Sequence, residues 1–197
     1  MQSLGSKRRV AAFGGLALVL TIGIGTVAAA GPWSTGRTGV AAPVAATAVV
    51  SGTLTTTQLI SLSGMAEEEK LAHDLYAAFA AQYPSAVWDR IGAAEVTHLA
   101  AVRTLLAANA IADPTAGLPA GTFASPSVAA MYADLLAQGS ASEAAAFGVG
   151  KLVEIDDIAK LDAARVGVTA ADVLRAYTRL RTGSTQHLSA FTRLLPN

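Results

Sequence analysis

The 197-residue chain contains no cysteine. No disulfide can therefore stabilise its fold, no lipoprotein cysteine can anchor it, and thiolate metal sites are excluded. Any metal ion must be held by nitrogen and oxygen ligands. Charged residues are also scarce, at 14% of the chain. Nothing resembles a nucleophile elbow, a phosphate-binding loop or a Ser-His-Asp set, and we predict no organic cofactor.

The first 30 residues have the pattern of an export signal. Lys7, Arg8 and Arg9 form a basic segment, Val10 to Val27 is an apolar run, and Ala28 to Ala30 offer an A-x-A cleavage site. An uncleaved anchor is the alternative, since about 18 apolar residues could span a bilayer, but glycines within the run favour cleavage. We therefore expect an exported protein, secreted or associated with the cell envelope, that meets the membrane only through this segment if it is uncleaved.

Residues 31–56 are rich in Ala, Thr and Pro and carry almost no charge, which is typical of a linker. Residues 57–197 remain, and they are enough for one domain with a hydrophobic core. Without the three basic residues of the predicted signal, the chain has 14 acidic and 11 basic residues, a net charge of −3. This charge, with no basic run in the domain, argues against nucleic acid as a partner.

From Thr57 onward the sequence predicts an all-α fold in which four long helices pack as a bundle. The helix starts are marked by Ser and Thr caps, by Pro at a first helical position and by a Ser140-x-x-Glu143 capping box. Gly and Pro residues between the second and third long helices indicate a long crossover that contains a short helix. The predicted helices run from Thr57 to about Tyr83, from Ser85 to about Asn109, from Ser125 onward, from Ser140 to about Arg165 and from Thr169 to Leu195.

Each long helix has an apolar stripe, at steps of three and four residues, that polar residues interrupt near its midpoint. In the second helix the interruption is Glu95 and His98, a Glu-x-x-His spacing that places an oxygen and a nitrogen ligand on one face. Because the midpoints of packed helices of similar length share a layer, the interrupting side chains should meet. They are Glu69, Glu95, His98, Glu154, Asp157 and His187.

Burying four carboxylates together without compensation would cost many kcal/mol or raise their pKa values until they are neutral. Two divalent cations would balance four carboxylates, with the two imidazoles as neutral ligands. Oxygen and nitrogen donors suit iron or manganese, and zinc is possible. The alternative is a non-catalytic helical module at the cell surface, in which a metal-free, hydrogen-bonded polar layer fixes the register of the helices.

Four further residues lie near the predicted ligands in the sequence. Glu67 and Glu68 flank Glu69 but lie off the apolar stripe, so we expect mainly solvated side chains, with Glu68 as a reserve ligand. His73 is expected at the boundary of the core. Tyr76 is expected within the core, where its hydroxyl could donate to a ligand carboxylate.

The blocks EEEKLAHDLY, AAEVTHLAAV, GKLVEIDDIAKL and TGSTQHLSAF, in this order, resemble the family called domain of unknown function 2202, which is assigned to the ferritin-like superfamily. The resemblance covers about Leu59 to Leu195. It implies a ferritin-like di-iron carboxylate bundle. The chain departs from the classical pattern at Ser184, where a Glu is usual, and Asp157 could restore the carboxylate count. The ligands that the resemblance implies are Glu69, Glu95, His98, Glu154 and His187.

From these patterns we expect an exported ferritin-like protein, a monomer or dimer, whose partners are metal ions. Iron-dependent oxidation is a candidate activity, although the sequence does not establish an enzyme.

Overall fold

The computed structural model describes residues 52–195, and these form five α-helices and no strand. The all-α prediction is therefore confirmed for this part of the chain. The predicted signal at residues 1–30 and the predicted linker up to residue 51 lie outside the described residues. The helices are α1 (Thr56–Gln82), α2 (Ala86–Ala108), α3 (Pro126–Gly139), α4 (Glu143–Ala164) and α5 (Ala171–Leu194).

Three of the predicted helix starts differ from the observed ones. Ala170, not Thr169, is the N-cap residue of α5. Thr55, not Thr57, caps α1 within a capping box. The predicted capping box at Ser140 is wrong, because Ser142 caps α4. Ser140 ends α3 instead, and its hydroxyl donates to the carbonyl of Leu136 within that helix. A hydroxyl residue between two adjacent helices can serve either end, and the sequence pattern does not distinguish them.

The core consists of two clusters of buried apolar side chains. The aromatic cluster is built around Tyr76, Phe79, Trp88, Phe147 and Phe191. The aliphatic cluster is built around Leu62, Met65, Val102, Leu161 and Leu180.

The order of these residues along each helix gives the helix directions. Helices α1 and α5 run from the aliphatic cluster to the aromatic cluster, whereas α2 and α4 run the opposite way. Helix α2 therefore ends beside the aliphatic cluster and α4 begins beside the aromatic one. The crossover, residues 109–142, must run the length of the helices to join them, which confirms the predicted long crossover with its short helix.

Within the described residues the four long helices pack in a closed ring. Helix α1 contacts α2 and α4, and α5 contacts the same two helices, while the diagonal pairs do not approach each other. The short helix α3 packs on α1 and α4. The midpoints of all four long helices consequently face one central space between the two clusters.

Helix α2 is the one described helix that is long and apolar enough to cross a membrane. Its buried side chains include Trp88 in the aromatic cluster and Val102 in the aliphatic cluster. Its buried face packs against α1 and α5, so its length and composition are only weak evidence for a membrane span.

The crossover covers the outer side of α1, away from the central space. Lys70 forms an ion pair with Asp74, and its ammonium group also donates to the carbonyl of Pro119 at 2.9 Å. Asp74 in turn accepts a 2.9 Å hydrogen bond from the backbone N–H of Gly121. Both charged side chains are about 95% buried. Helix α1 is thus enclosed on both sides.

Glu67 lies on the same outer side of α1, and we call Glu67, Lys70 and Asp74 the outer cluster. Its carboxylate accepts a 2.8 Å hydrogen bond from the backbone N–H of Ser125, at the start of α3. The side chain is buried, so the prediction that Glu67 is solvated is wrong. The physical reason is the crossover, which brings unpaired backbone donors over α1.

Candidate metal centre

All six predicted ligand residues lie in the central space between the aromatic and aliphatic clusters. Glu69, Glu95 and Glu154 are each 2% exposed and His187 is 8% exposed. His98 and Asp157 are partly buried. Each residue interrupts the buried stripe of its own helix, as the sequence predicts. The convergence of these side chains is therefore observed.

Three side chains form a first group, which comprises Glu69, Glu95 and His98. One ligand atom from each lies within 4.8 Å of the others. Nδ1 of His98 is 2.8 Å from Oε2 of Glu95 and 3.4 Å from Oε2 of Glu69. The Glu-x-x-His spacing on α2 thus brings the nitrogen and oxygen atoms together, and α1 adds the second carboxylate.

A second group comprises Glu95, Glu154 and His187, again with one ligand atom from each within 4.8 Å of the others. Nδ1 of His187 is 2.8 Å from Oε1 of Glu95 and 3.5 Å from Oε1 of Glu154. Nδ1 of His187 and Oε1 of Glu95 are thus close enough for an ion pair, although they are not aligned for a hydrogen bond with each other. A separation of about 3 Å without a hydrogen bond is expected for two atoms that ligate one cation through bonds of about 2.1 Å.

Glu95 belongs to both groups. Its Oε2 faces His98 and its Oε1 faces His187. The two imidazole rings stack with their centroids 5.6 Å apart and their planes inclined by 28°. A carboxylate that presents one oxygen to each of two ligand groups has the arrangement of a bridging ligand.

Asp157 faces the same space, although neither ligand group among the described residues includes it. The hydroxyl of Ser184 donates to its Oδ2 at 2.6 Å, and its Oδ1 is buried without a hydrogen-bond partner in the described chain. Burial and the charge of Asp157 raise the pKa of Glu69, and the carboxylates of Glu154 and Glu95 act with burial to raise the pKa of Asp157. Asp157 therefore faces carboxylates of both groups, and the hydroxyl of Ser184 on α5 orients it.

Tyr76 supports the second group. The ring is buried, as expected, and its hydroxyl donates to Oε1 of Glu154 at 2.6 Å. Burial and the adjacent carboxylate of Glu154 hold the pKa of Tyr76 well above its ordinary value. The ring packs against Trp88 and Phe191 in the aromatic cluster. The hydroxyl thus remains a hydrogen-bond donor at a fixed position.

The carboxylates of the site differ in pKa because their neighbours differ. Burial raises the pKa values of Glu69 and Glu154 and raises that of Asp157 to about 7. Burial acts on Glu95 in the same direction, but His187 and His98 outweigh it and lower the pKa of Glu95 to about 2. Among these four carboxylates, only Glu95 therefore has a pKa below its ordinary value.

The pKa values of both histidines are raised. Burial acts to lower their pKa values, but the neighbouring carboxylates outweigh it. Glu69 and Glu95 raise the pKa of His98 to about 10, and Glu154 and Glu95 raise that of His187 to about 9. The electrostatic field of the site therefore favours positive charge at both histidine positions.

His73 and Glu68 lie outside the site. Nδ1 of His73 is 2.9 Å from a carboxylate oxygen of Asp74, so His73 joins the outer cluster at its edge. Glu68 forms a 2.6 Å ion pair with Lys160, which also pairs with Asp156. Neither residue is placed with the candidate ligands.

The residues fit a pair of divalent cations. Six buried side-chain atoms in the described chain lack a hydrogen-bond partner, and four of them belong to this site. Such atoms are costly when buried unless a cation or another donor satisfies them. The donor set of carboxylate and imidazole suits iron, manganese or zinc. The four atoms are Oε1 of Glu69, Oε1 of Glu95, Oδ1 of Asp157 and Nδ1 of His187.

Comparison with known proteins shows which chains this one is similar to. An uncharacterized protein of Methanocaldococcus jannaschii, MJ0754, is 35% identical over 133 residues, which cover 68% of this chain and 72% of that protein. The crystal structure of hypothetical protein MJ0754 matches with a TM-score of 0.72 and 32% identity, over 75% of this chain and 85% of that chain. The model of the family described as "Uncharacterized protein domain (DUF2202)" matches residues 59–197, which include all six candidate ligands, and the chain therefore belongs to this family.

Proposed function

We propose that the protein is a metal-binding member of the ferritin-like superfamily and that its centre holds two divalent cations. The fold supports this proposal. Four long helices in a closed ring, with one long crossover between the second and third, have the connectivity of ferritin-like bundles. Carboxylates and histidines that project inward from facing helices are the ligands of metal sites in such bundles.

The observation that carries the proposal is the position of Glu95. It contributes one oxygen to each of two groups, and each group also contains one further carboxylate and one histidine. Glu69, Glu95 and His98 would hold the first cation. Asp157 faces the same central space with one unpaired oxygen in the described chain and is a candidate for a further ligand. Glu95, Glu154 and His187 would hold the second cation.

Iron or manganese, the metals we favour, would supply one-electron redox chemistry at this site, whereas zinc would not. The chain's own residues perform the remaining tasks. Tyr76 orients Glu154 through its hydroxyl, and Ser184 orients Asp157. The aromatic cluster excludes water from the side of the second group. We also propose export to the cell envelope or the medium, on the basis of the N-terminal pattern alone.

One specific observation favours a second candidate, a non-catalytic module whose polar layer fixes helix register. His98 and His187 both form close ion pairs with Glu95, so the side chains offset much of one another's charge. Such a layer could specify one packing of the helices without a cation. The two candidates differ in the effect of a chelator, which should destabilise only the metal-binding protein.

Elemental analysis of the full chain, purified without chelator or nickel resin, tests the proposal. We expect about two equivalents of iron or manganese, and close to none in Glu95→Gln, because both groups share this residue. Glu143→Gln, at an exposed position in the first turn of α4, is the matched control and should keep both equivalents. Folded wild-type protein that takes up neither iron nor manganese would favour the register-fixing module.

A further inference from the structure

Gly183 lies in the interior of α5, next to Ser184 and the candidate ligands. Within the described residues, the glycines with positive φ lie elsewhere, so its backbone is that of an ordinary helix. Glycine is less favourable than alanine in a helix interior. The reason for glycine at this position must therefore be the missing side chain.

The missing side chain is replaced by the ring of His98. A Cβ atom at position 183 would lie 2.5 Å from Nε2 and 2.6 Å from Cε1 of that ring. Carbon contacts are ordinarily about 3.5 to 4 Å. The imidazole on α2 thus rests directly against the backbone of α5.

The ring cannot simply move away from α5, because its other edge is engaged. Nδ1 of His98 donates a hydrogen bond to Oε2 of Glu95 at 2.8 Å and lies 3.4 Å from Oε2 of Glu69. The side chain is only 12% exposed. Contact with α5 on one edge and with two carboxylates on the other fixes the orientation of the ring.

We propose that Gly183 is a positioning residue for the first group, which seats His98 with Nδ1 towards Glu69 and Glu95. The inference rests on the proposed function, because it concerns the presentation of a metal ligand. It also explains how α5 takes part in the first group. Gly183 leaves space for the ring of His98, and Ser184 donates a hydrogen bond to Asp157. Ser184 stands where the classical pattern would have a Glu.

The chain offers a matched control for the substitution. Gly148 also lies in a helix interior, in α4, and an added Cβ there would meet no heavy atom within 4 Å in the described chain. Gly148→Ala changes the same atoms at a position that does not contact the site. It should leave metal binding unchanged.

The test is anaerobic titration of the full chain with cobalt(II), followed by its visible absorption, for wild type and the variants. Gly183→Ala should weaken the binding of one equivalent about 10- to 100-fold and leave the other equivalent in place. His98→Asn keeps a polar atom near the position of Nδ1 but removes Nε2 and Cε1. Adding Gly183→Ala to His98→Asn should then change the affinity less than about twofold.

Circular dichroism and thermal unfolding in chelator separate positioning from folding. If Gly183→Ala alone fails to fold, the double variant must fold, because it lacks the two ring atoms that clash. Failure of both variants to fold would overturn the proposal. Equal cobalt affinity in wild type and Gly183→Ala would overturn the positioning role and leave the metal centre intact. If wild type binds no cobalt, the proposed function fails and the positioning role fails with it.

Discussion

Helix α1 carries two buried polar clusters, one on each side, and they are organised differently. In the outer cluster, Glu67 accepts a backbone N–H, and Lys70 and Asp74 pair with each other and with backbone groups of the crossover. In the central site, Glu69 retains a buried oxygen without a hydrogen-bond partner in the described chain. Buried charge occurs in both places, but unsatisfied ligand atoms occur only at the centre.

The difference extends to the aspartates of the two regions. Burial acts to raise the pKa of Asp74, but hydrogen bonds from His73, Lys70 and Gly121 outweigh it and lower that pKa. Burial among other carboxylates raises the pKa of Asp157 to about 7 instead. The outer cluster therefore has the electrostatics of a structural ion pair, whereas the two histidines of the centre leave the charge of Asp157 without a positively charged hydrogen-bond partner in the described chain.

The largest effect on stability should come from breaking the outer cluster. Asp74→Ala leaves the ammonium group of Lys70 buried without its carboxylate, and we expect the free energy of unfolding to fall by about 3 to 5 kcal/mol. Urea unfolding should show the same loss with and without chelator. Asp134→Ala, at an exposed position in α3, is the control and should change stability by less than about 0.5 kcal/mol. A loss that vanishes in chelator would connect Asp74 to the metal site and contradict the separate, structural role of the outer cluster.

A smaller effect is expected for Tyr76→Phe on the other side of α1. The variant removes one hydrogen bond to the carboxylate of Glu154, which should cost about 1.5 to 3 kcal/mol. Binding of the second cation should weaken about tenfold because Glu154 is less well oriented. Cobalt titration and urea unfolding of the same samples measure both quantities. Weakening of both equivalents together would argue against two separate groups.

The sequence was sufficient to predict that the polar side chains of the four long helices meet at the centre, but it did not predict the outer cluster. The reason is local. Glu69 stands in the apolar stripe of α1 between Met65 and Ala72, so its burial follows from helical periodicity. Glu67, Lys70 and Asp74 have the spacing of surface ion pairs at i, i+3 and i, i+4. Their burial depends on the crossover, a long-range contact that no local pattern reports.

A signal for the covered outer side was nevertheless present. Ala66, Leu71 and Leu75 lie off the predicted stripe and are fully or almost fully buried. Apolar residues on nearly all sides of a helix indicate that it is enclosed rather than half exposed. For Gly183 the sequence offered no comparable signal, because the apolar pattern of α5 continues through it and the ring that needs its space lies on α2.

Acid should affect the outer cluster in a definite direction. The pKa of Asp74 is lower in the folded protein than in the unfolded chain, so its contacts with Lys70 and His73 stabilise the fold above pH of about 4. This contribution is lost as pH falls through the folded-state pKa. Tyr132 of α3 also faces Asp74 but remains neutral in this range. Urea unfolding in chelator from about pH 6 to 3 should therefore show a shallower decline for Asp74→Asn than for wild type, and equal slopes would contradict the assignment.

The smallest expected effect on stability has the opposite sign. Asp157→Asn removes one negative charge from a group of carboxylates but keeps an oxygen near Ser184, so in chelator the protein should become more stable by about 1 kcal/mol. With cobalt present the same variant should bind one of the two equivalents about 10- to 100-fold more weakly. A residue that destabilises the fold alone and stabilises it with a cation is retained for binding. If Asp157→Asn is destabilising in chelator, Asp157 serves the fold as Asp74 does, and the distinction between the two clusters does not extend to this residue.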